Sequence, residues 1–123
     1  MKKRIEVTKA TVENETLHLF TDDTELDVKE LSPKKQMLVD SARLAFIYIL
    51  ENDSDFIYVS VTHPFWRELN ELLTRPVPVV LHVNESTIEL DGIVEELNYL
   101  VDNIEGNANY GDEMVSKVEE LFL

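Results

Sequence analysis

Two stretches, "LAFIYIL" at 44–50 and "DFIYVSV" at 55–61, constrain this chain more than any other feature. A strand with one wet face alternates apolar and polar residues, whereas these runs are aliphatic or aromatic at nearly every position. The "ENDS" between them is turn material. The pair therefore reads as the central hairpin of a sheet, buried on both sides. Such a hairpin needs further strands beside it and other layers over it.

The rest of the sequence supplies both. "RIEV", "TLHLF" and "ELDV" alternate, with Ile5, Val7, Leu17, Leu19, Leu26 and Val28 on one side. Short polar breaks, "ENE" and "TDDT", predict an antiparallel meander for these three. After the hairpin, "THPFWRELNELLTRP" changes period: Phe65, Trp66, Leu69, Leu72 and Leu73 fall at helical spacing, Pro64 suits a first turn and Pro76 is a stop. Trp66, beside Arg67, has the register of a core residue rather than of a cation-π platform. The strands "VPVVLHV" and "STIEL" follow, and then two amphipathic helices. "GIVEELNYLVDNI" carries its stripe on Ile93, Leu97, Leu100 and Ile104, and "DEMVSKVEELFL" on Met114, Val115, Val118, Leu121 and Phe122. The expected fold is α+β: a mainly antiparallel sheet or partly open barrel, one inserted helix and a C-terminal helical hairpin. Residues 1–123 are expected to form a single domain, a size that buries about 65 to 70% of the unfolded surface.

Between the last two helices lies "EGNANYGDE", which holds two of the chain's three glycines. Its letters match a structural turn. Gly106 stands where a helix ends in a left-handed residue, and Asn107 and Asn109 tolerate the same region. Gly111 is placed to cap the next helix, with Asp112 and Glu113 against the positive end of its dipole and Tyr110 set to staple onto Val115. On this reading Asn107 is replaceable by Ser at little cost. A phosphate cradle would show a denser glycine pattern and a nearby Lys.

Charge is placed unevenly. Residues 1–43 carry eight bases and nine acids, while 44–123 carry three bases, Arg67, Arg75 and Lys117, against sixteen acids. Such a surface repels nucleic-acid phosphates and anionic lipid, so neither is expected as a partner. No cysteine is present, which removes disulfides and thiolate chemistry and fits a cytoplasmic setting. "MKKRIEVTKA" alternates where a signal peptide would turn apolar, and no apolar run approaches the roughly 20 residues of a membrane helix.

Signatures of catalysis are sparse. His18, His63 and His82 lie in different segments without the i, i+4 spacing of a zinc-protease helix, and His18 and His82 read as surface or half-buried strand residues. No G-x-S-x-G elbow, P-loop or G-x-G-x-x-G occurs. The turn "NDSD" faintly suggests a calcium loop but lacks its central glycine and distal glutamate.

"LVDS", "LAFIYILEN", "FIYVSV" and "VDNIEGNANYG", in that order, resemble a family of short uncharacterised proteins of Bacillus-type bacteria, the YjbL-like group. The resemblance runs along the whole chain. It implies a single-domain cytoplasmic protein and carries over no activity and no functional residues.

The expected function is accordingly a non-enzymatic interaction or regulatory module that uses an acidic C-terminal helical face. Glu95, Glu96, Tyr99 and Asp102 are the candidate partner-binding residues, a basic protein is the expected partner, and no catalytic residue, metal or cofactor is expected. The alternative is a small metal-dependent enzyme acting on a phosphorylated small molecule. It would gather several carboxylates into a concavity, whereas a docking face spreads them over convex helices.

Overall fold

The computed structural model describes residues 2–25 and 30–123. Strand β1 (Lys2–Glu13) turns through Asn14 and Glu15 into β2 (Thr16–Thr21). Both turn residues have positive φ, 52° and 60°, as a two-residue hairpin between right-twisted strands requires. Strands β3 (Ser32–Asp40), β4 (Ala45–Glu51) and β5 (Phe56–Thr62) then pair antiparallel in succession. A 3-10 turn at His63–Phe65 leads into helix α1 (Trp66–Thr74). Strands β6 (Val79–Val83) and β7 (Ser86–Glu89) and helices α2 (Ile93–Ile104) and α3 (Asp112–Phe122) follow. Among the described residues the strands form one sheet in the order β3-β4-β5-β1-β2-β6-β7. Its edge strands, β3 and β7, approach each other, so the sheet curls into a half-barrel. The class is α+β, as the periodicities indicate.

The sheet is mixed rather than mainly antiparallel. The first half of β1, Lys2–Glu6, lies parallel to β5, while Val7–Glu13 runs antiparallel to β2, which in turn lies parallel to β6. Between these halves the register slips: Val7 faces Thr21 and Lys9 faces Phe20, leaving Thr8 as an extra residue. A bulge of this kind bends its strand and inverts the alternation after it. Ile5 and Val7 point into the core before the bulge; Ala10 takes that side after it. The meander therefore holds only for β1 and β2. Its third expected strand, "ELDV", is 25–28, of which 26–28 lie outside the described residues. The sequence reading missed β3, whose Pro33, paired lysines and positive φ of 58° at Lys35 suit an irregular edge strand.

The apolar hairpin is β4–β5, and it lies to one side of the sheet, with β1 in the middle. Burial on both faces is borne out for β4. Phe46, Tyr48 and Leu50 enter the core, and Ala45, Ile47 and Ile49 on the other face are at most 5% exposed. α1, α2 and α3 cover the inner face. Trp66 is fully buried among Phe46 and Phe122, its ring centre 4.8 and 5.8 Å from theirs, and its Nε1–H donates to the Val61 carbonyl at 2.9 Å. That settles Trp66 as core. Among the described residues no helix is long and apolar enough to cross a membrane.

The stop and the cap of the turn between α2 and α3 are built as their letters suggest, with a difference at Asn107. Gly106 has φ 66° just past the end of α2, and Gly111 caps α3 with Asp112 and Glu113 in the first turn. Asn107, however, makes two hydrogen bonds: its Oδ1 accepts from the Asn109 N–H at 3.0 Å and its Nδ2 donates to the Asn103 carbonyl at 3.1 Å. Asn107 is therefore less replaceable than the sequence reading has it. Thermal or urea denaturation should rank three variants. Ile104→Asp, at a fully buried site, should lose about 4 kcal/mol. Gly106→Val should lose about 2 kcal/mol through backbone strain alone, since open space surrounds the position. Asn107→Ser should lose about 1 kcal/mol. An Ile104→Asp protein as stable as wild type would contradict the packing of α2.

Candidate functional site

The acidic helix α2 is fixed at its start by three contacts. Tyr48, buried on β4, donates its hydroxyl proton to the Asp91 carbonyl, and burial together with the Asp91 charge pushes the phenol pKa up. Gly92, at φ 77°, lets the chain pass Lys35, whose Cβ would lie 3.4 Å from any Cβ added there. Glu96 then accepts the Met37 backbone N–H at 3.2 Å, tying the first turn of α2 to the edge strand β3.

These contacts divide the four residues that the sequence groups together. Glu96 is half-buried and engaged with β3. Glu95, Tyr99 and Asp102, at i, i+4 and i+7, form a stripe along the outer side of α2. Tyr99 is 64% exposed, an unusual exposure for an aromatic side chain. Acidity continues past the N-terminus of the helix. The Glu89 carboxyl lies above its ordinary pKa because it hydrogen-bonds Asp91 and feels that residue's charge. Two acids close enough to share a proton mark a region short of cations.

A second cluster was not legible in the sequence. β2 and β6 lie parallel, which brings His18 and His82 together with Nδ1 of the first 2.8 Å from Nε2 of the second. The ring centres are 5.0 Å apart and the rings are tilted by 39°, with the two nitrogens at hydrogen-bond distance. Phe20 stacks on His82 with centres 4.5 Å apart, and the Lys9 ammonium sits 5.3 Å over Phe20. Burial, and secondarily the His18 charge, lowers the His82 pKa. Only parallel pairing across 64 residues of sequence creates this arrangement, and no spacing rule announces it.

Other titratable groups are engaged in structure. Arg4 reaches from β1 past Ser60 on β5 to Asp40 on β3, with 2.8 Å contacts to both and to Glu6. Burial opposes the Asp40 charge, but hydrogen bonds from Arg4 and the Arg43 N–H outweigh it and lower that pKa. In "NDSD", the Asn52 side chain closes the turn by accepting from the N–H groups of Ser54 and Asp55, while Asp55 pairs with Lys3 at 3.4 Å. Among the described residues no group of three or more His, Asp or Glu is arranged to hold a metal ion.

The histidine pair gives a pH prediction. A folded-state pKa below the unfolded value of about 6.5 means that the unfolded chain binds more protons, so the His82 contribution is present above that pH and is lost as pH falls. Denaturation midpoints from pH 7.5 to pH 5.5 should fall in the wild type relative to His82→Gln. Parallel curves would contradict the burial of this imidazole.

Comparison with known proteins agrees with the Bacillus resemblance. A family model, described as a family of unknown function (UPF0738), matches residues 5–122. The UPF0738 protein of Bacillus mycoides strain KBAB4 is 46% identical over 123 residues, with both chains fully covered. That of Bacillus cytotoxicus is 48% identical over 124 residues, again covering both chains completely. No solved structure matches. With full-length relatives at this identity and a family model spanning nearly every residue, the chain belongs to UPF0738, a family of unknown function.

Proposed function

We propose that this protein is a non-enzymatic cytoplasmic interaction module that receives a basic protein partner on the outer face of α2. The observation that carries the reading is the stripe of Glu95, Tyr99 and Asp102: a 64%-exposed tyrosine between carboxylates, on a convex helix whose opposite side is fully packed. Exposed tyrosine offers a large contact area at low entropy cost, and flanking acids add steering and specificity toward a cationic surface. From Glu85 onward eleven acids face one base, Lys117, and that base already lies 3.6 Å from Glu120. The cytoplasmic setting rests on the absence of cysteine. For the metal-dependent alternative, the carboxylates would have to converge, and on α2 they lie along a convex surface.

The triple variant Glu95→Gln, Tyr99→Ala, Asp102→Asn tests the reading. Its melting temperature should match or exceed the wild type, since it removes like charges and an exposed ring. Proteins retained from a native lysate at low salt by the wild type, and released as salt rises, should be missing from the variant when both are identified by mass spectrometry. Retention of the same proteins by the variant would overturn the proposal.

A further inference from the structure

Leu17 and Leu19 of β2 and Val79, Leu81 and Val83 of β6 are buried in the core, so the alternate residues His18, Phe20 and His82 stand on the opposite, outer face of the sheet. The helices lie over the inner face, and both imidazoles are half-buried. Among the described residues each ring has one hydrogen-bond partner, the other ring, with Nδ1 of His18 2.8 Å from Nε2 of His82. No carboxylate among the described residues joins the contact.

A proton held between the rings satisfies this contact, and so does a metal ion. Two imidazole nitrogens bound to one ion at about 2.0 Å and at a right angle lie about 2.8 Å apart, whereas tetrahedral ligands at that bond length lie about 3.3 Å apart. In a neutral imidazole the one N–H can sit on either nitrogen. The far nitrogens, Nε2 of His18 and Nδ1 of His82, can therefore carry the protons and leave both facing lone pairs free. The rings are tilted by 39°, and a turn of each about its Cβ–Cγ bond aims both lone pairs at one point off the line between them. We propose that His18 and His82 together bind a divalent transition-metal ion that favours imidazole at right angles, Cu2+ or Ni2+, with water in the remaining positions. Because the sheet holds the rings side by side, the second binds at a high effective concentration, which separates this pair from the lone His63. The ion joins β2 to β6 and so stabilises the folded chain. The Lys9 ammonium, 5.3 Å over the Phe20 ring that stacks on His82, works against a cation there, so Lys9→Gln should tighten binding. The site is separate from the α2 stripe, and either proposal can fail without the other.

The test is calorimetric titration of the full chain, free of any affinity tag, with Ni2+ at neutral pH. One ion per chain is expected, with affinity at least about tenfold weaker in His18→Gln and in His82→Gln and unchanged in His63→Gln. Zn2+, which prefers the wider tetrahedral spacing, should bind more weakly than Ni2+. A second measurement needs no variant and holds even where a glutamine substitution disturbs folding: substoichiometric Cu2+ should broaden the amide resonances of His18, Phe20 and His82 ahead of that of His63. Unchanged affinity in His18→Gln or His82→Gln, tighter binding of Zn2+, or broadening centred on His63 or on the acidic stripe of α2 would overturn the proposal.

Discussion

The half-barrel depends on one strand serving two partners. β1 gives its first residues to β5 in parallel and its last to β2 antiparallel, and Thr8 is the extra residue that lets it change between them. Without that bulge a straight β1 would keep Lys9 and Thr11 on the core side and turn Ala10 and Val12 outward. The apolar hairpin β4–β5 lies on one flank of β1, and β2, β6 and β7 on the other. Within the hydrogen-bonded ladder the two flanks are therefore joined through this strand.

The two flanks use their outer faces differently. On the β4–β5 side, Arg4 of β1 reaches Ser60 on β5 and Asp40 on β3, tying three strands together. On the β2–β6 side the outer face carries the linked His18 and His82 stacked with Phe20. Because the curled sheet brings β3 near β7, the chain leaving β7 can be fastened to β4 through Tyr48 and to β3 through Glu96. Fastening and packing use one side of α2. The other side is left with no structural duty, and there the acids and Tyr99 collect.

Much of this was readable from periodicity. Strand alternation in "TLHLF" and "VVLHV", the helical stripe of α1 from Trp66 to Leu72, and the stop-and-cap letters of Gly106 and Gly111 each reflect local geometry, which sequence encodes directly. What escaped the reading is non-local. Parallel pairing joins β1 to β5 and β2 to β6 across long stretches of chain, and it alone creates the histidine pair. β3 stayed hidden because Pro33 and two lysines argue against a strand interior, though an edge accepts them. Of the four residues grouped on α2, three share the outer stripe; Glu96 departs because it accepts the Met37 N–H of β3, a strand with no clear signal in the sequence.

The central claim is that β1 holds the two flanks in one cooperative structure, and native-state hydrogen exchange tests it most directly. If β1 is the shared strand, the amides of Ile5, Val7 and Ala10 should exchange only through global unfolding, with the same free energy as the slowest amides of β4 and β6. Faster exchange of β1, or one flank opening at a lower free energy while the other stays protected, would show two separable halves and contradict the account.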